Sequence, residues 1–414
     1  MNSETRNCQN CKEDFIIKPE DFLFYNKIKV PPPTFCPECR LVRRFTWRNE
    51  RSLYRNKCAK TGKNVISIFS PESNITVYDR DEWWKDDWNP ADFNQEYDFS
   101  KPFFLQFREL LKKTPMPALF TARTTNCSYC NHIGEMKNCY LTYGSWMGEN
   151  LLYTTRAAFS KDCCDVLVVD NAEFSYYTFN ATKIFKVFYS EEVENCTDCY
   201  FLYDSKGCTN CFMSTNLRNK SYCIRNVQYS KEEYFKKMDE YDLGKRSVIQ
   251  KLKGEFKERK QKAFHKFARI TNAPNCTGDN IRDSFNCKEC FDVFDKVKDS
   301  KWAIHGGFNI QDCYDCYGMG ANAELLYESI DVGDSGQNYI GVIVTWVGVN
   351  VSYCINCHGC TDCFGCIGLK KKQYCIFNKQ YTKEEYEKLV PRIKQHMSDM
   401  SYTDTKGNLH VFGD

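Results

Sequence analysis

Short apolar runs, interrupted by Asn, Asp, Gly and Ser, fill most of the chain after residue 120. Residues 184–189, 200–203 and 342–347 are examples. Runs of this length between turn-forming residues predict short β-strands. Their irregular spacing, with Asn, Asp and Cys between the runs, favours a parallel β-solenoid (β-helix), in which like side chains stack from one level to the next. A pair of small antiparallel β-domains is the alternative.

One segment of the chain occurs twice. Residues 208–234 and 360–386 align without a gap, and 16 of the 27 positions are identical. Each copy closes with an N-cap, Ser230 or Thr382, followed by a Glu pair that suits the first turn of a helix. The sequence therefore predicts a mainly β protein with helices, in which two duplicated β-modules are each closed by an α-helix.

Two Cys-x-x-Cys pairs near the start of the chain carry the clearest candidate chemistry. Cys8 and Cys11 are separated from Cys36 and Cys39 by a loop with several aromatic residues and three consecutive prolines. Four thiolates on two tight turns complete the tetrahedral shell that Zn²⁺ prefers, and a closed shell leaves no position for a catalytic water. We expect a structural zinc ribbon over residues 1–40.

Five arginines follow the last of these cysteines at helical spacing. Residues 40–56 predict a helix, and at 100° per residue the arginines fall within an arc of about 80°. They are Arg40, Arg44, Arg48, Arg51 and Arg55. Such a face is suited to bind a phosphate backbone or an acidic partner.

An acidic segment rich in tryptophan offers these arginines a partner. Residues 79–98 hold eight acidic residues against two basic ones, with Trp83, Trp84 and Trp88, whose rings suit guanidinium stacking. We expect the two segments to neutralise each other, within one chain or across a homo-oligomer. Contact of the arginines with RNA is the alternative.

A basic segment separates the two modules. Residues 245–269 carry ten basic residues against two acidic ones and predict an amphipathic helix. Its apolar arc consists of Val248, Leu252, Phe256, Ala263 and Phe267. We expect the helix to pack on the flank of a module, and a surface for an anionic partner is the alternative.

These patterns together predict six segments. They are a zinc ribbon (1–40), an arginine helix with an acidic connector (41–119), a first cysteine-rich module (120–234), a basic connector (235–271), a second module (272–397) and a C-terminal tail (398–414).

The cysteines outside the ribbon number 22 of the 26 in the chain. Four of them have spacing suited to a second zinc site: Cys196, Cys199, Cys208 and Cys211. In the second copy of the repeat, Gly348 and Val351 stand where the first two of these would be. Because a metal site needs its complete ligand set, we favour stacked, buried thiols, with a second zinc site or an iron–sulfur cluster as alternatives.

Composition and charge bear on the class of protein and on its compartment. The net charge of +3 gives no global attraction to nucleic acid or to a membrane, and no apolar run is long enough to span a bilayer. We expect a cytoplasmic protein, where many thiols indicate metal ligands or buried packing rather than disulfides. No catalytic residue is predicted, since none of the six histidines joins a catalytic spacing and Ser335 lacks the flanking pattern of a nucleophile motif.

The sequence resembles two known families. Residues 8–40 resemble a zinc-ribbon family, with Arg40 directly after the last cysteine. This stretch, its continuation to Lys63 and the two Tyr-Cys-Ile-x-Asn-x-Gln-Tyr closures also look like a cysteine-rich family abundant in uncultured bacteria with reduced genomes. Members of that family are often labelled CaiB/BaiF-type coenzyme A transferases. The zinc-ribbon resemblance covers residues 8–40 and implies metal binding. The resemblance to the cysteine-rich family covers nearly the whole chain and, through the label, implies transferase activity.

These observations predict a zinc-binding, non-enzymatic scaffold that presents an extended β-repeat surface to a protein or RNA partner. The alternative is a transferase-like enzyme with a site between the two modules. A deep pocket holding a buried carboxylate beside a histidine would favour that alternative.

Overall fold

The computed structural model describes residues 2–403, 407, 409 and 410. The protein is mainly β, with two parallel β-solenoids, an N-terminal cysteine cluster and seven α-helices in the described part of the chain. The predicted fold class is confirmed. Among the helices of these residues, none combines the length and the apolar composition needed to cross a bilayer.

The first 120 residues form small hairpins and helices. Two strands, β1 (Glu4–Asn7) and β2 (Asp14–Ile17), pair antiparallel and precede α1 (Pro19–Ile28) and α2 (Pro37–Thr46). A second antiparallel hairpin, β3 (Tyr54–Lys57) with β4 (Asn64–Ser67), is followed by β5 (Val77–Tyr78), α3 (Arg80–Trp84), α4 (Phe103–Lys113) and β6 (Met116–Pro117). Strands β5 and β6 pair in parallel.

The helix predicted over residues 40–56 is wrong in its extent. Helix α2 ends at Thr46, and Arg55 lies in strand β3. The cause is Asn49, whose side chain accepts the N–H of Ser52 at 2.9 Å and donates to the Ser52 carbonyl at 2.7 Å. Such a side-chain turn replaces the backbone bonds that would continue a helix. Five arginines at helical spacing therefore do not share one helix.

The first solenoid advances by 12 residues per coil, where a coil is one circuit of the chain around the solenoid axis. Tyr143 pairs with Asn131 and Thr155, and the same step recurs up to Thr209 and Ser221. The strands are β7 (Thr121–Ala122), β8 (Thr125–Ser128), β9 (Asn131–Tyr140), β10 (Tyr143–Leu152), β11 (Thr155–Ala158), β12 (Lys161–Cys164), β13 (Leu167–Glu173), β14 (Phe179–Phe188), β15 (Glu191–Lys206), β16 (Thr209–Thr215), β17 (Ser221–Ile224) and β18 (Val227–Gln228).

A three-residue unit builds each coil. From Arg123 to Arg225 every third residue has a positive φ, and from Tyr129 to Asn216 the following residue is buried inside the solenoid. Left-handed backbone is costly for most residues but is tolerated by Asn, which also hydrogen-bonds locally. One corner is accordingly an asparagine ladder, in which Asn126 donates to Asn138 at 2.9 Å and Asn138 donates to Asn150 at 3.2 Å.

The second solenoid begins with a coil of 11 residues, Ile270 pairing with Ile281, and then mixes 12- and 13-residue coils. Val349 pairs with Thr361 at a step of 12, whereas Ile310 pairs with Ala323 at a step of 13. The extra residue enters at doubled left-handed corners such as Asp295–Lys296. The strands are β19 (Ile270–Thr271), β20 (Gly278–Arg282), β21 (Phe285–Lys288), β22 (Cys290–Phe294), β23 (Val297–Lys301), β24 (Ile304–Gly307), β25 (Ile310–Tyr314), β26 (Tyr317–Met319), β27 (Ala323–Tyr327), β28 (Ile330–Gly333), β29 (Gln337–Ile340), β30 (Ile343–Trp346), β31 (Val349–Ser352), β32 (Thr361–Phe364), β33 (Gln373–Ile376) and β34 (Lys379–Gln380).

Both solenoids end in the same way. The last parallel strand turns back through an antiparallel hairpin and leads into a helix, α5 (Lys231–Met238) or α7 (Lys383–Asp399). Ser230 and Thr382 are the N-caps, and each forms a capping box with the third residue of its helix, Glu233 or Glu385. The predicted closing helices are confirmed. The tail adds β35 (Tyr402–Thr403) and β36 (Leu409–His410), and residues 404–406, 408 and 411–414 lie outside the described part.

The basic connector forms a shorter helix than predicted. Helix α6 spans Arg246–Gln261, and Phe267 lies fully exposed beyond it. Asn216 of the first solenoid binds the backbone of Phe264 through both its amide atoms, at 2.9 and 3.0 Å, which holds that segment extended. Leu252 is buried, as predicted, and Lys260 pairs with Glu191 of the first solenoid. The connector packs on the flank of that solenoid.

Candidate metal centre

The four N-terminal cysteines meet in one cluster. The sulfur atoms of Cys8, Cys11, Cys36 and Cys39 all lie within 4.8 Å of one another. In the part of the chain that the structure describes, no other set of three or more Cys, His, Asp or Glu donor atoms is this close together. The sequence prediction of a four-cysteine cluster is therefore confirmed, and these residues could hold a metal ion.

A hairpin turn and a helix N-terminus position the thiols. Cys8 follows β1, its N–H donates to the Glu13 carbonyl at 2.9 Å, and its carbonyl accepts the N–H of Lys12 at 3.0 Å. Lys12 adopts φ 68°, which turns the chain tightly enough to bring Cys11 beside Cys8. Cys36 is the N-cap of α2, so Cys36 and Cys39 lie at the positive end of the helix dipole.

Backbone donors prepare one thiol for metal binding. Burial acts to raise the pKa of Cys8, but the N–H groups of Cys36, Cys11 and Asn10 outweigh it and lower that pKa to about 6. The Cys36 N–H donates to the Cys8 sulfur at 3.2 Å, and the Asn10 side chain donates to the Cys39 sulfur at 3.2 Å. Such donors stabilise thiolate sulfur, the form in which cysteine binds metals.

Helix α2 attaches the cluster to the second solenoid through buried ion pairs. The fully buried Asp315 accepts hydrogen bonds from Arg40 and Arg44, both at 3.0 Å. Arg43 binds the Glu328 carboxylate at 2.6 and 2.7 Å. Beside them the Phe24 ring stacks on Tyr314 with centroids 3.9 Å apart. The arginines next to the cluster are therefore used inside the chain.

The other predicted arginines differ in their surroundings. Arg48 is buried and pairs with Glu50 at 2.7 Å and with Asp331 at 3.3 Å. Arg51 is exposed and lies over the ring of Tyr143 in the first solenoid. Arg55 is exposed on β3. Of the five candidate arginines, two are exposed.

Within one chain, the acidic tryptophan segment is not the partner of the buried arginines, contrary to the prediction, and association of the two segments across a homo-oligomer stays a prediction. Trp83 is fully buried and donates to the Pro115 carbonyl at 2.9 Å. The cation that it holds is Lys370 of the second solenoid, 4.5 Å from its ring centroid. The buried arginines instead bind carboxylates of the second solenoid, Arg40 and Arg44 at Asp315 and Arg48 at Asp331.

Of the 22 remaining cysteines, 21 lie in the two solenoids and Cys58 lies in the turn between β3 and β4. Of these 22, 19 are buried, and Cys127, Cys164 and Cys276 are partly exposed. Inward thiols donate to the carbonyl two residues earlier, as Cys196 does to Glu194 at 3.3 Å, and serines at inward positions bond in the same way. The interior of such a narrow coil favours small side chains able to satisfy these carbonyls. This arrangement is the one that the favoured hypothesis of stacked, buried thiols describes.

The second candidate metal site lies within these stacks. Cys196 and Cys199 are successive inward residues of one coil, and Cys208 and Cys211 occupy the same corners of the next. Their thiols donate to backbone carbonyls at 3.2 to 3.5 Å. These four are not among the donors that lie mutually within 4.8 Å, and metal binding here stays a prediction.

A histidine and a half-buried carboxylate meet where the two solenoids face each other. His132 of the first solenoid hydrogen-bonds Asp331 of the second through Nδ1. Burial acts to raise the pKa of Asp331, but Arg48 and His132 outweigh it and hold that pKa well below its usual range. Arg48 and the ring of Phe120 pack against the pair. This packing fits an ionic contact between the solenoids better than a substrate site.

No family model and no curated protein matches the chain. Among solved structures, the chain is similar to a candidate acetyltransferase from Desulfovibrio desulfuricans G20, at 10% identity over 70% of this chain and 75% of that one. The TM-score is 0.13, which is too low to carry an argument about fold or activity.

Sequence reasoning missed the acidic residues that receive α2. Asp315 lies between two buried cysteines of the second solenoid, and Glu328 lies one coil further on. The available signal was a carboxylate within a run of inward-facing thiols. That signal indicates a special position but does not name its partner.

Proposed function

We propose that this protein is a zinc-binding, non-enzymatic scaffold of the cytoplasm that presents a solenoid surface to another protein. The cysteine cluster supports this role most strongly. Four thiols form a closed donor set directly at the start of α2, whose arginines are buried on Asp315. A metal there would fix the N-terminal unit on the second solenoid and would offer no open position for substrate.

Zinc is the metal best suited to this donor set. Four soft thiolates in a small shell match the tetrahedral coordination of Zn²⁺, whereas Mg²⁺ and Ca²⁺ prefer oxygen ligands. Cys36 and Cys39 would bind from α2, and Cys8 and Cys11 from the hairpin. Metal binding and the folding of residues 2–46 would then be one event.

An exposed aromatic surface on the first solenoid supports the interaction role. The side chains of this surface, here called the aromatic face, are Tyr129, Tyr140, Leu152, Tyr153 and Tyr177. Tyr140 lies 5.8 Å from Tyr129 and 5.7 Å from Tyr153, measured between ring centroids. A contiguous row of exposed aromatic rings on a rigid support is typical of protein interfaces.

A protein partner is favoured over RNA because Arg40, Arg44 and Arg48 are buried in ion pairs. Only Arg51 and Arg55 of the predicted basic face remain for phosphate. If the charge reversal Arg51→Glu with Arg55→Glu abolished salt-dependent RNA binding by the purified protein, the RNA alternative would replace this proposal.

The metal content of the purified protein tests the zinc assignment. We expect one zinc per chain by elemental analysis and none after Cys36→Ser. Iron, or a second zinc in the native chain, would contradict the assignment. For the partner, photo-crosslinkers placed at Tyr140 and at the exposed Leu23 of α1 provide a matched pair. The proposal requires a protein adduct from position 140 alone, and adducts of equal yield from both positions would refute it.

A further inference from the structure

The hairpin β3–β4 with α3 repeats the architecture of the metal centre. In the first unit, the N–H of Cys8 donates to Glu13 and its carbonyl accepts from Lys12. In the second unit, the N–H of Cys58 donates to Lys63 at 2.9 Å and its carbonyl accepts from Gly62 at 2.8 Å. Gly62 has φ 71°, close to the 68° of Lys12. The two turns therefore have the same hydrogen-bonded geometry.

The helix that follows is joined to each turn by the same backbone bond. The N–H of Gln9 donates to Thr34, two residues before the N-cap of α2. The N–H of Ala59 donates to Val77, two residues before Asp79, the N-cap of α3. Counting from these bonds pairs the four ligand positions of the metal centre with four residues of the second unit: Cys58, Thr61, Asp79 and Glu82.

The second unit keeps one thiol and loses the other three. Cys58 is as buried as Cys8, but a hydroxyl and two carboxylates replace the remaining sulfurs. Asp79 instead caps α3 by accepting the N–H of Asp81 at 2.9 Å. One thiol and a carboxylate already engaged as a cap do not make the soft tetrahedral shell that zinc requires.

A lysine occupies the place of the metal charge. Asn10, in the first turn, donates to the Cys39 sulfur, and Lys60 stands at the corresponding position of the second turn. The Lys60 ammonium lies 3.2 Å from Glu82, the residue at the Cys39 position, and also pairs with Asp87. An ion pair thus joins the hairpin to α3 at the place where, in the first unit, a metal would join the hairpin to α2.

The residue after the fourth ligand position anchors both units on the second solenoid. Arg40 follows Cys39 and is buried against Asp315, and Trp83 follows Glu82 and is buried under Lys370. Both side chains are fully buried.

We propose that residues 54–84 are a second, metal-free ribbon in which the Lys60–Glu82 ion pair replaces the metal ion. The chain then carries two clamps on the second solenoid, of which one depends on metal and the other does not. This inference needs metal only at the first ribbon and does not depend on the partner or on zinc in particular.

The test restores the missing ligands. Lys60→Asn, Thr61→Cys, Asp79→Cys and Glu82→Cys together reproduce the residue types of the first ribbon. In a Cys36→Ser background, where the first site is disabled, we expect this variant to bind one equivalent of Co²⁺ or Zn²⁺, with the thiolate-to-cobalt charge-transfer absorption. The Cys36→Ser chain alone is the matched control and should bind none.

A folded restored variant, judged by circular dichroism, that binds no metal in this background would overturn the inference. Should that variant fail to fold, hydrogen exchange on the unmodified protein decides. Chelation should accelerate exchange in α1 and α2 and leave β3, β4 and α3 protected. Equal acceleration in both units would also overturn it.

Discussion

The two solenoids share one coil design but use the same surface differently. The repeats align at Ile224 and Ile376. Counted back from there along the strand registers, Asp165 corresponds to Asp315 and Tyr176 corresponds to Tyr327. In the second solenoid this surface is covered by α1 and α2, with Asp315 fully buried. In the first solenoid Asp165 is half-buried and Tyr153 and Tyr177 are exposed. One column of residues is thus an internal interface in one copy and an open surface in the other.

The architecture of the coils therefore does not determine whether a solenoid surface is covered or open. Inward residues of both copies satisfy the same packing rule, whereas the outward residues decide what covers them. A carboxylate with aromatic neighbours receives an arginine helix in the second solenoid. The first solenoid keeps an equivalent carboxylate without such a helix.

Loss of the metal centre should produce the largest difference between the two solenoids. Cys36→Ser removes one of four ligands, and structural zinc sites of this type contribute on the order of 10 kcal/mol of apparent binding free energy. We expect no bound metal, together with rapid hydrogen exchange in α1, in α2 and around Tyr314. Exchange in the first solenoid should not change, and a parallel increase there would contradict separate roles for the two copies.

Removing the charge of Asp315 should have the next largest effect. Asp315→Asn leaves the buried Arg44 without a counter-ion and leaves Arg40 only Glu328 at 3.9 Å, and breaking such a buried pair typically costs about 3–5 kcal/mol. The measurement is the free energy of unfolding in urea. Asp165→Asn at the equivalent position of the first solenoid is the control, and we expect a change below about 0.5 kcal/mol. Similar losses in the two variants would show that the positions are not used differently.

Acid should weaken the second solenoid through His358. Burial, and next to it the Lys370 ammonium, lowers the pKa of His358 to about 3. The unfolded chain, with a histidine pKa of about 6.5, binds a proton that the folded chain excludes. The free energy of unfolding is therefore unaffected by His358 above pH ~6.5. Below that pH the protonation of His358 in the unfolded chain lowers it by up to about 1.4 kcal/mol per pH unit.

The check is urea unfolding at several pH values between 7 and 5. Wild type should lose stability relative to His358→Gln over this range, because the variant lacks the titrating group. The metal centre is the same in both proteins, so its own pH dependence cancels. Parallel pH profiles of the two proteins would rule out His358 as the cause.

The aromatic face should be the least sensitive to substitution. Tyr153 is 52% exposed, so Tyr153→Ser should change the free energy of unfolding by less than about 1 kcal/mol. The buried Tyr339, changed to Ser, is the control and should cost several kcal/mol, as large-to-small core changes do. A large destabilisation by Tyr153→Ser would show that the face supports the fold and is not reserved for a partner.

Sequence patterns revealed the features encoded by near neighbours. Cys8 and Cys11 share one turn, Cys36 and Cys39 share the first turn of α2, and Ser230 and Thr382 are local caps. The spacing of three in the run from Cys354 to Cys366 is now explained by successive inward residues around a coil. The coil length itself was hidden, because inward positions also accept Ser, Thr, Ala and Val, and doubled corners such as Asp295–Lys296 shift the pattern.

The arginine contact could not be predicted in detail because its two sides are remote in the chain. Arg44 and Asp315 are 271 residues apart, and neither carries a local mark of the other. Charge balance favoured an internal partner, and that much agrees with the structure. On charge balance alone, the nearest acidic segment is the expected partner. In the structure, the turn at Asn49 ends the helical region, and α2 lies on the second solenoid.

The reversed hairpins β17–β18 and β33–β34 have a consequence for self-association. A parallel stack that ended on an unpaired strand would offer its free N–H and C=O groups to the first coil of another molecule, and repeated additions would grow a fibre. Here the last strand of each stack is paired by a two-residue antiparallel strand and followed by a capped helix. The C-terminal edge of each stack is therefore closed to a further strand, which prevents edge-to-edge polymerisation at that end.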